Sequence, residues 1–146
     1  MASVKGVNFT NITADPVVNA DSGEWSGKLR VQFDTFEASS LASGSDISVA
    51  RLPSGAKVYD VAIHHDALGS GVTLAVGDSA DADRYITATA AASAGVISMH
   101  NDGAIDGVGF EQTAETDILV TTGGGSASGT IKCMVFYVVE LSLIHI

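Results

Sequence analysis

The stretch 52-LPSGAKVYDVAIHHDALGSGVTLAVGDSADADRYI-86 decides the fold class, because turns alternate in it with strand-forming segments. After the turn at 53–55 (PSG), residues 58–63 (VYDVAI) are rich in the β-branched and aromatic side chains that favour a pleated strand. Turn formers at 66–71 let the chain reverse. In 72–76 (VTLAV) the large apolar residues recur at every second position. The stretch therefore predicts two successive strands, followed by an acidic loop.

Upstream, residues 28–37 (KLRVQFDTFE) show the clearest alternation in the first third of the chain. Leu29, Val31 and Phe33 fall on one face of a strand and polar residues fall on the other. Such a pattern predicts a half-buried strand whose apolar face contacts the core.

Residues 130–140 (TIKCMVFYVVE) form the longest apolar strand pattern. Met134, Phe136 and Val138 share one face, and the opposite face is apolar as well. A strand covered on both faces is typical of the centre of a sheet or of a subunit interface. We therefore take these three side chains as interface candidates.

Strand patterns recur every 8–12 residues with turn signals between them, and no segment shows a convincing amphipathic helix. This spacing predicts a single all-β domain, either a sandwich or a barrel. We predict a jelly-roll-like β-sandwich. The periodicity alone leaves an immunoglobulin-like sandwich open.

The composition excludes several classes of partner. Seventeen acidic and seven basic residues give a net charge of −10, and the basic residues are scattered along the chain. Nucleic-acid binding needs a basic footprint, so we expect no nucleic acid and no anionic membrane as partner. The first residues, MASVKGVNFT, lack the apolar run of a signal peptide, so we expect synthesis in a cytoplasm.

Three ranges divide the chain. Residues 1–26 lack sustained periodicity and are expected to form an extended N-terminal arm, either frayed or lying on a neighbouring subunit with Phe9 and Trp25 among its apolar anchors. Residues 27–140 are the expected sandwich domain. Residues 141–146 (LSLIHI) match the translation of a transposon end used to prepare sequencing libraries, so we interpret them as adapter read-through.

The acidic loop offers one candidate metal site. Asp78, Asp81 and Asp83 are closely spaced carboxylates of the kind that bind Ca²⁺, but the central glycine and terminal glutamate of an EF-hand loop are absent. A solvated loop in which Arg84 offsets the negative charge is the alternative that we favour. No cofactor is expected.

Nucleophilic catalysis has weak candidates. The serines lack the G-x-S-x-G elbow, and Cys133, which His100 would have to activate, has the setting of a buried, inert thiol. His64 and His65 are adjacent on a strand, point to opposite faces and so cannot chelate one ion together. We therefore expect a protein that is not an enzyme.

The chain resembles head decoration or cement proteins of tailed bacteriophages, small structural proteins encoded beside capsid genes. The likeness covers most of residues 1–140. It is carried by turn-and-strand patterns: FEA (36–38), LASG (41–44), LPSGAKV (52–58), VTLAVGD (72–78), DRYI (83–86) and GTIK (129–132).

The resemblance implies a non-enzymatic virion protein on the capsid exterior, made in the host cytoplasm. Its implied partners are the lattice of the major capsid protein and further copies of itself, for example in a homotrimer. Two alternatives stay open at this point. One is a carbohydrate-binding or adhesive sandwich, which Trp25 and Tyr85 exposed together in a concave surface would favour. The other is a component of the phage neck or tail.

Overall fold

The computed structural model describes residues 2–5, 7–17, 28–102 and 105–139. Within these ranges the chain forms eight strands and two short helices. In chain order they are α1 (Val7–Ile12), β1 (Arg30–Leu41), β2 (Asp46–Leu52), β3 (Ala56–His65), β4 (Thr73–Gly77), β5 (Ile86–Ala90), β6 (Gly95–Ser98), α2 (Met99–Asp102), β7 (Thr116–Gly123) and β8 (Ala127–Val139).

The strands form two four-stranded antiparallel sheets, with the orders β1-β8-β3-β6 and β2-β7-β4-β5. The first strand pairs with the last, the second with the seventh, the third with the sixth and the fourth with the fifth. These pairings describe one long antiparallel ribbon rolled into a sandwich, which is the jelly-roll arrangement. The predicted fold class is therefore confirmed.

The core lies between the two sheets. Every second residue of β8 from Ile131 to Tyr137 faces inward and is buried, together with Val58, Val61 and Ile63 of β3. The opposite sheet contributes Leu74, Val76, Ile118 and Val120, all with no exposed surface. This interior of β-branched and aromatic side chains supplies most of the hydrophobic stabilisation.

Strand β1 has the predicted alternation but the opposite orientation. Phe36 and Ala38 of its second half pack against the core. The register with β8 runs without a bulge from Arg30 to Ala38, so Val31 and Phe33 must point to the other face. They are 54% and 57% exposed, and the prediction that they contact the core is wrong.

Part of the N-terminal arm also differs from the expectation. Residues 7–12 of the arm form a helix, so this part is not extended. At the end of the helix, the carbonyl of Phe9 accepts hydrogen bonds from the backbone N–H of Thr13 at 3.1 Å and from its hydroxyl at 2.6 Å. Residues 107–111 form a turn that ends in an isolated bridge between Glu111 and Lys57. The arm's boundary stays a prediction, and Trp25 and residues 140–146 lie outside the described residues.

Two glycines with left-handed backbone conformations differ in their surroundings. Gly124, with φ +79°, lies in the turn before β8, and a Cβ there would collide with the carbonyl oxygen of Gly71. Gly44, with φ +86°, has no atom within 4 Å of the corresponding position. Gly124 therefore lets two turns approach each other closely, whereas Gly44 serves only its own turn.

We expect Gly124→Ala to destabilise the protein more than Gly44→Ala. The control variant carries only the cost of a left-handed alanine, about 1–2 kcal/mol. Gly124→Ala adds overpacking against Gly71, worth about 1–3 kcal/mol more. Urea denaturation of both variants measures the difference in unfolding free energy. Equal losses would show that the contact between the turns is loose.

Candidate functional site

The outer face of the β1-β8-β3-β6 sheet carries a band of apolar side chains. Directly paired residues on neighbouring strands share a face. Phe33 of β1 pairs with Met134 of β8, which pairs in turn with Ala62 of β3. In the next row Val31 pairs with Phe136. Since the inward side chains of β8 are its odd-numbered residues, both rows lie on the side away from the core.

This band is accessible. Phe33 and Val31 are more than half exposed, and Leu29, just before β1, is 62% exposed. Met134 and Phe136 are half-buried. We call Leu29, Val31, Phe33, Met134 and Phe136 the outer face. An exposed apolar patch of adjacent side chains is typical of a site for protein contact.

The three interface candidates of β8 thus lie on one side of the sheet, as their spacing predicted. Val138, however, is only 4% exposed and is paired with Lys57 at the end of the band. Phe9 lies in α1 and is 45% exposed. The alternation in 28–37 did not reveal the contribution of Val31 and Phe33 to this face, because it predicted that they contact the core.

Polar groups border the outer face. Lys132 pairs with Thr35 on one side and His64 on the other, and both Lys132 and His64 are exposed. Asp60 lies beside Phe136, with one carboxylate oxygen 3.3 Å from His100 Nε2. Its other oxygen is buried without a hydrogen-bond donor among the described residues. The band is therefore an apolar strip with a charged border, the usual anatomy of an interface.

In the acidic loop, the carboxylate of Asp78 binds protein hydrogen-bond donors, unlike a carboxylate that is available to a metal ion. Asp78 is buried, and its carboxylate accepts hydrogen bonds from Arg84 Nε at 2.8 Å and from Gln112 Nε2 at 2.9 Å. The backbone N–H groups of Ala80 and Asp81 donate to the same carboxylate, each at 3.0 Å. This side chain is therefore already saturated with protein donors.

The side chains of the remaining acids of the loop differ from that of Asp78 in exposure. Asp81 and Asp83 are exposed. In the described part of the chain no cluster of three or more histidine, cysteine or acidic residues could hold a metal ion. The geometry of these residues gives the calcium hypothesis no support.

The Asp78 network joins distant parts of the chain. Gln112 donates to both Asp78 and the Tyr85 hydroxyl, and the Phe110 ring lies 3.8 Å from Arg84 Cζ. Burial raises the pKa of Asp78, but hydrogen bonds from Arg84, Gln112 and Asp81 outweigh it, so the pKa falls below its ordinary value. Burial also raises the pKa of Tyr85 to about 12.

The catalytic candidates are not arranged for chemistry. Cys133 faces the core at 1% exposure, and burial raises the pKa of its thiol to about 12. The His100 side chain is 70% exposed and pairs with Asp60. His64 is exposed and His65 is buried, as the prediction of opposite faces required. Within the described residues no helix is long and apolar enough to cross a membrane.

We expect Asp78→Asn to destabilise the protein by about 3–5 kcal/mol at pH 7, because it leaves the largely buried Arg84 guanidinium without its counterion. Asp117→Asn, which breaks an exposed pair with Arg51, is the matched control and should change stability far less. Unfolding free energies from denaturant titration measure both.

The effect should depend on pH in a defined direction. Because the folded-state pKa of Asp78 is depressed, its stabilising contribution is present above the unfolded-state pKa of about 3.9 and is lost as the pH falls through the folded-state value. The gap between wild type and Asp78→Asn should therefore narrow on acidification below about pH 4. A constant gap down to pH 2 would contradict this account.

Neither a protein-family model nor a curated protein sequence matches the chain. Solved structures do. A chain from the capsid asymmetric unit of cyanophage Pam1 is similar over 96% of this chain and 94% of its own length, with 22% identity and a TM-score of 0.63.

A chain from the capsid of Ralstonia phage GP4 covers 79% of this chain and 86% of its own length, with 19% identity and a TM-score of 0.62. The capsid of Helicobacter pylori bacteriophage KHP30 contains a chain with 13% identity and a TM-score of 0.55, covering 76% of this chain and 87% of that one. At these identities the likeness establishes a shared fold.

Proposed function

We propose that this protein is a non-enzymatic structural component of a tailed-phage virion, which decorates the outer capsid shell and stabilises it. One observation carries the proposal. The same jelly-roll fold, over nearly the whole length of both chains, occurs in the capsid of cyanophage Pam1. The exposed apolar strip on one sheet supports a role in assembly, because such strips mark protein contacts.

The proposed mechanism is linkage between binding and assembly. A protein that binds the assembled lattice and not the free capsid subunits stabilises the lattice by mass action, by about 2.7 kcal/mol per site at a hundredfold excess over Kd. An oligomeric decorator has several contacts on one particle, which raises its effective affinity. The net charge of −10 disfavours binding to the packaged nucleic acid, so the contacts are with protein.

One of the two aromatic residues that the carbohydrate-binding alternative requires is not available for binding. Tyr85 is fully buried, with its hydroxyl accepting a hydrogen bond from Gln112, so it cannot stack on a sugar ring. Trp25 lies outside the described residues. A neck or tail location is the closer competitor, because it uses the same kind of protein contact.

Co-production with the capsid protein encoded in the same phage genome tests the proposal. We expect the protein to sediment with assembled shells, to saturate at a fixed ratio to the capsid protein, and to raise the melting temperature of the shells. The same capsid protein kept as unassembled subunits is the control and should not bind. A protein that stays in the supernatant above assembled shells would overturn the proposal.

The position on the particle needs a separate measurement. Electron microscopy of virions carrying a labelled copy should place the label over the whole head. A label confined to the neck or tail would replace decoration by the competing role.

A further inference from the structure

We propose that the outer face of the β1-β8-β3-β6 sheet binds the N-terminal arm of a second copy of this chain. This inference rests on the proposed virion role and adds to it the way in which two copies of the protein bind each other. It is carried by two exposed apolar surfaces among the described residues of one molecule, and its test uses the isolated protein.

The first surface is the outer face itself. Val31 and Phe33 lie on β1, at the edge of its sheet, and in the described part of the chain β1 pairs with β8 alone. A twelve-residue edge strand with exposed apolar side chains invites pairing with another chain. The exposed side chains of Val31 and Phe33 therefore present a surface that a second chain can cover.

The second surface is the arm. Val4, Val7 and Val17 are 88%, 80% and 63% exposed, and Phe9 is 45% exposed. The outer face is exposed in the same single chain, so the described arm residues do not cover the face of their own subunit. A second copy offers both surfaces at once, and exchange of arms would bury each of them.

The chain between the two surfaces is long enough for exchange. Residues 18–27 separate the described arm from the segment that leads into β1. Ten residues can span at most roughly 33–36 Å, about the diameter of a small domain. The arm of one copy can therefore reach the outer face of a neighbour.

Charge favours the same occupant. Residues 1–26 contain three acidic residues and one lysine, Lys5. The exposed Lys132 and His64 border the outer face. Asp60 lies at the same border, so the border carries both signs of charge, and an acidic residue of the arm is best accommodated beside Lys132.

Exchange of arms in both directions also gives an interface of sufficient size. A stable interface uses about 20–30 residues from each partner, far more than the few apolar side chains of the outer face can supply in a flat contact between two sheets. When each copy both gives and receives an arm, each pair of copies makes the contact twice, or a closed ring makes it once per copy.

Sedimentation of the full chain over a roughly hundredfold concentration range tests self-association, which arm exchange makes concentration-dependent. We expect an oligomer that Phe33→Asp on the outer face and Phe9→Asp in the arm each weaken by more than about tenfold. Val108→Asp is the matched control, because Val108 is 52% exposed but lies on neither surface. Cooperative unfolding of each variant confirms that it folds.

A crosslinking experiment identifies the occupant. Phe9→Cys and Phe33→Cys chains of different tag length are mixed and oxidised, and the buried Cys133 thiol should stay inert. We expect a disulfide between the two different chains, and none when Val108→Cys replaces Phe33→Cys.

Three outcomes would overturn the proposal. In the first, the wild type is monomeric at every concentration. In the second, Phe33→Asp dissociates the oligomer, but Phe9→Asp has no effect and the Phe9→Cys and Phe33→Cys chains do not crosslink. In the third, the monomer binds capsid shells through the outer face. In the last case, shell binding that Phe33→Asp abolishes would leave the proposed function standing without arm exchange.

Discussion

The two-residue period of strand β8 is the constraint on which the rest of the structure depends. This strand lies between β1 and β3 and pairs with both along most of its length. Its odd-numbered side chains from Ile131 to Tyr137 form one wall of the core. Its even-numbered residues, Met134 and Phe136, must then lie on the opposite face. The same strand thus fixes both the interior of the sandwich and the strip that we propose as an interface.

The sequence predicted β8 better than β1, and the reason is physical. Both faces of β8 are apolar, so either orientation gives the same conclusion about its central place. In β1 the apolar positions change parity, from Val31 and Phe33 to Phe36 and Ala38. Without a bulge, only one of these sets can face inward. The second set does, and a change of parity in an unbroken strand was the available signal of an exposed apolar face.

The acidic loop shows where local pattern stops being informative. Asp78, Asp81 and Asp83 are neighbours in sequence, and that spacing suggested calcium. The state of Asp78 depends on Arg84, six residues away, and also on Gln112, 34 residues away, which donates to the Asp78 carboxylate and to the Tyr85 hydroxyl. Backbone hydrogen bonds from Gln112 to Ala56 and from Gly109 to Val58 hold the segment 109–112 against the start of β3, which β6 does not reach. Long-range pairing of this kind leaves no periodicity in the sequence.

The apolar strip and the acidic composition act in opposite directions on association. Seventeen acidic residues give each copy a charge that opposes random contact and keeps the protein in solution. The strip on β1 and β8 favours contact, but only with a partner that covers the apolar side chains and complements the charged border formed by Lys132 and Asp60. At moderate salt, repulsion between exposed charges more than about 10 Å apart is largely screened. The free energy gained by burying apolar surface is not screened. Association of this chain should therefore be specific in its geometry and strengthened by salt, because salt weakens the repulsion between acidic copies and leaves the apolar contact intact.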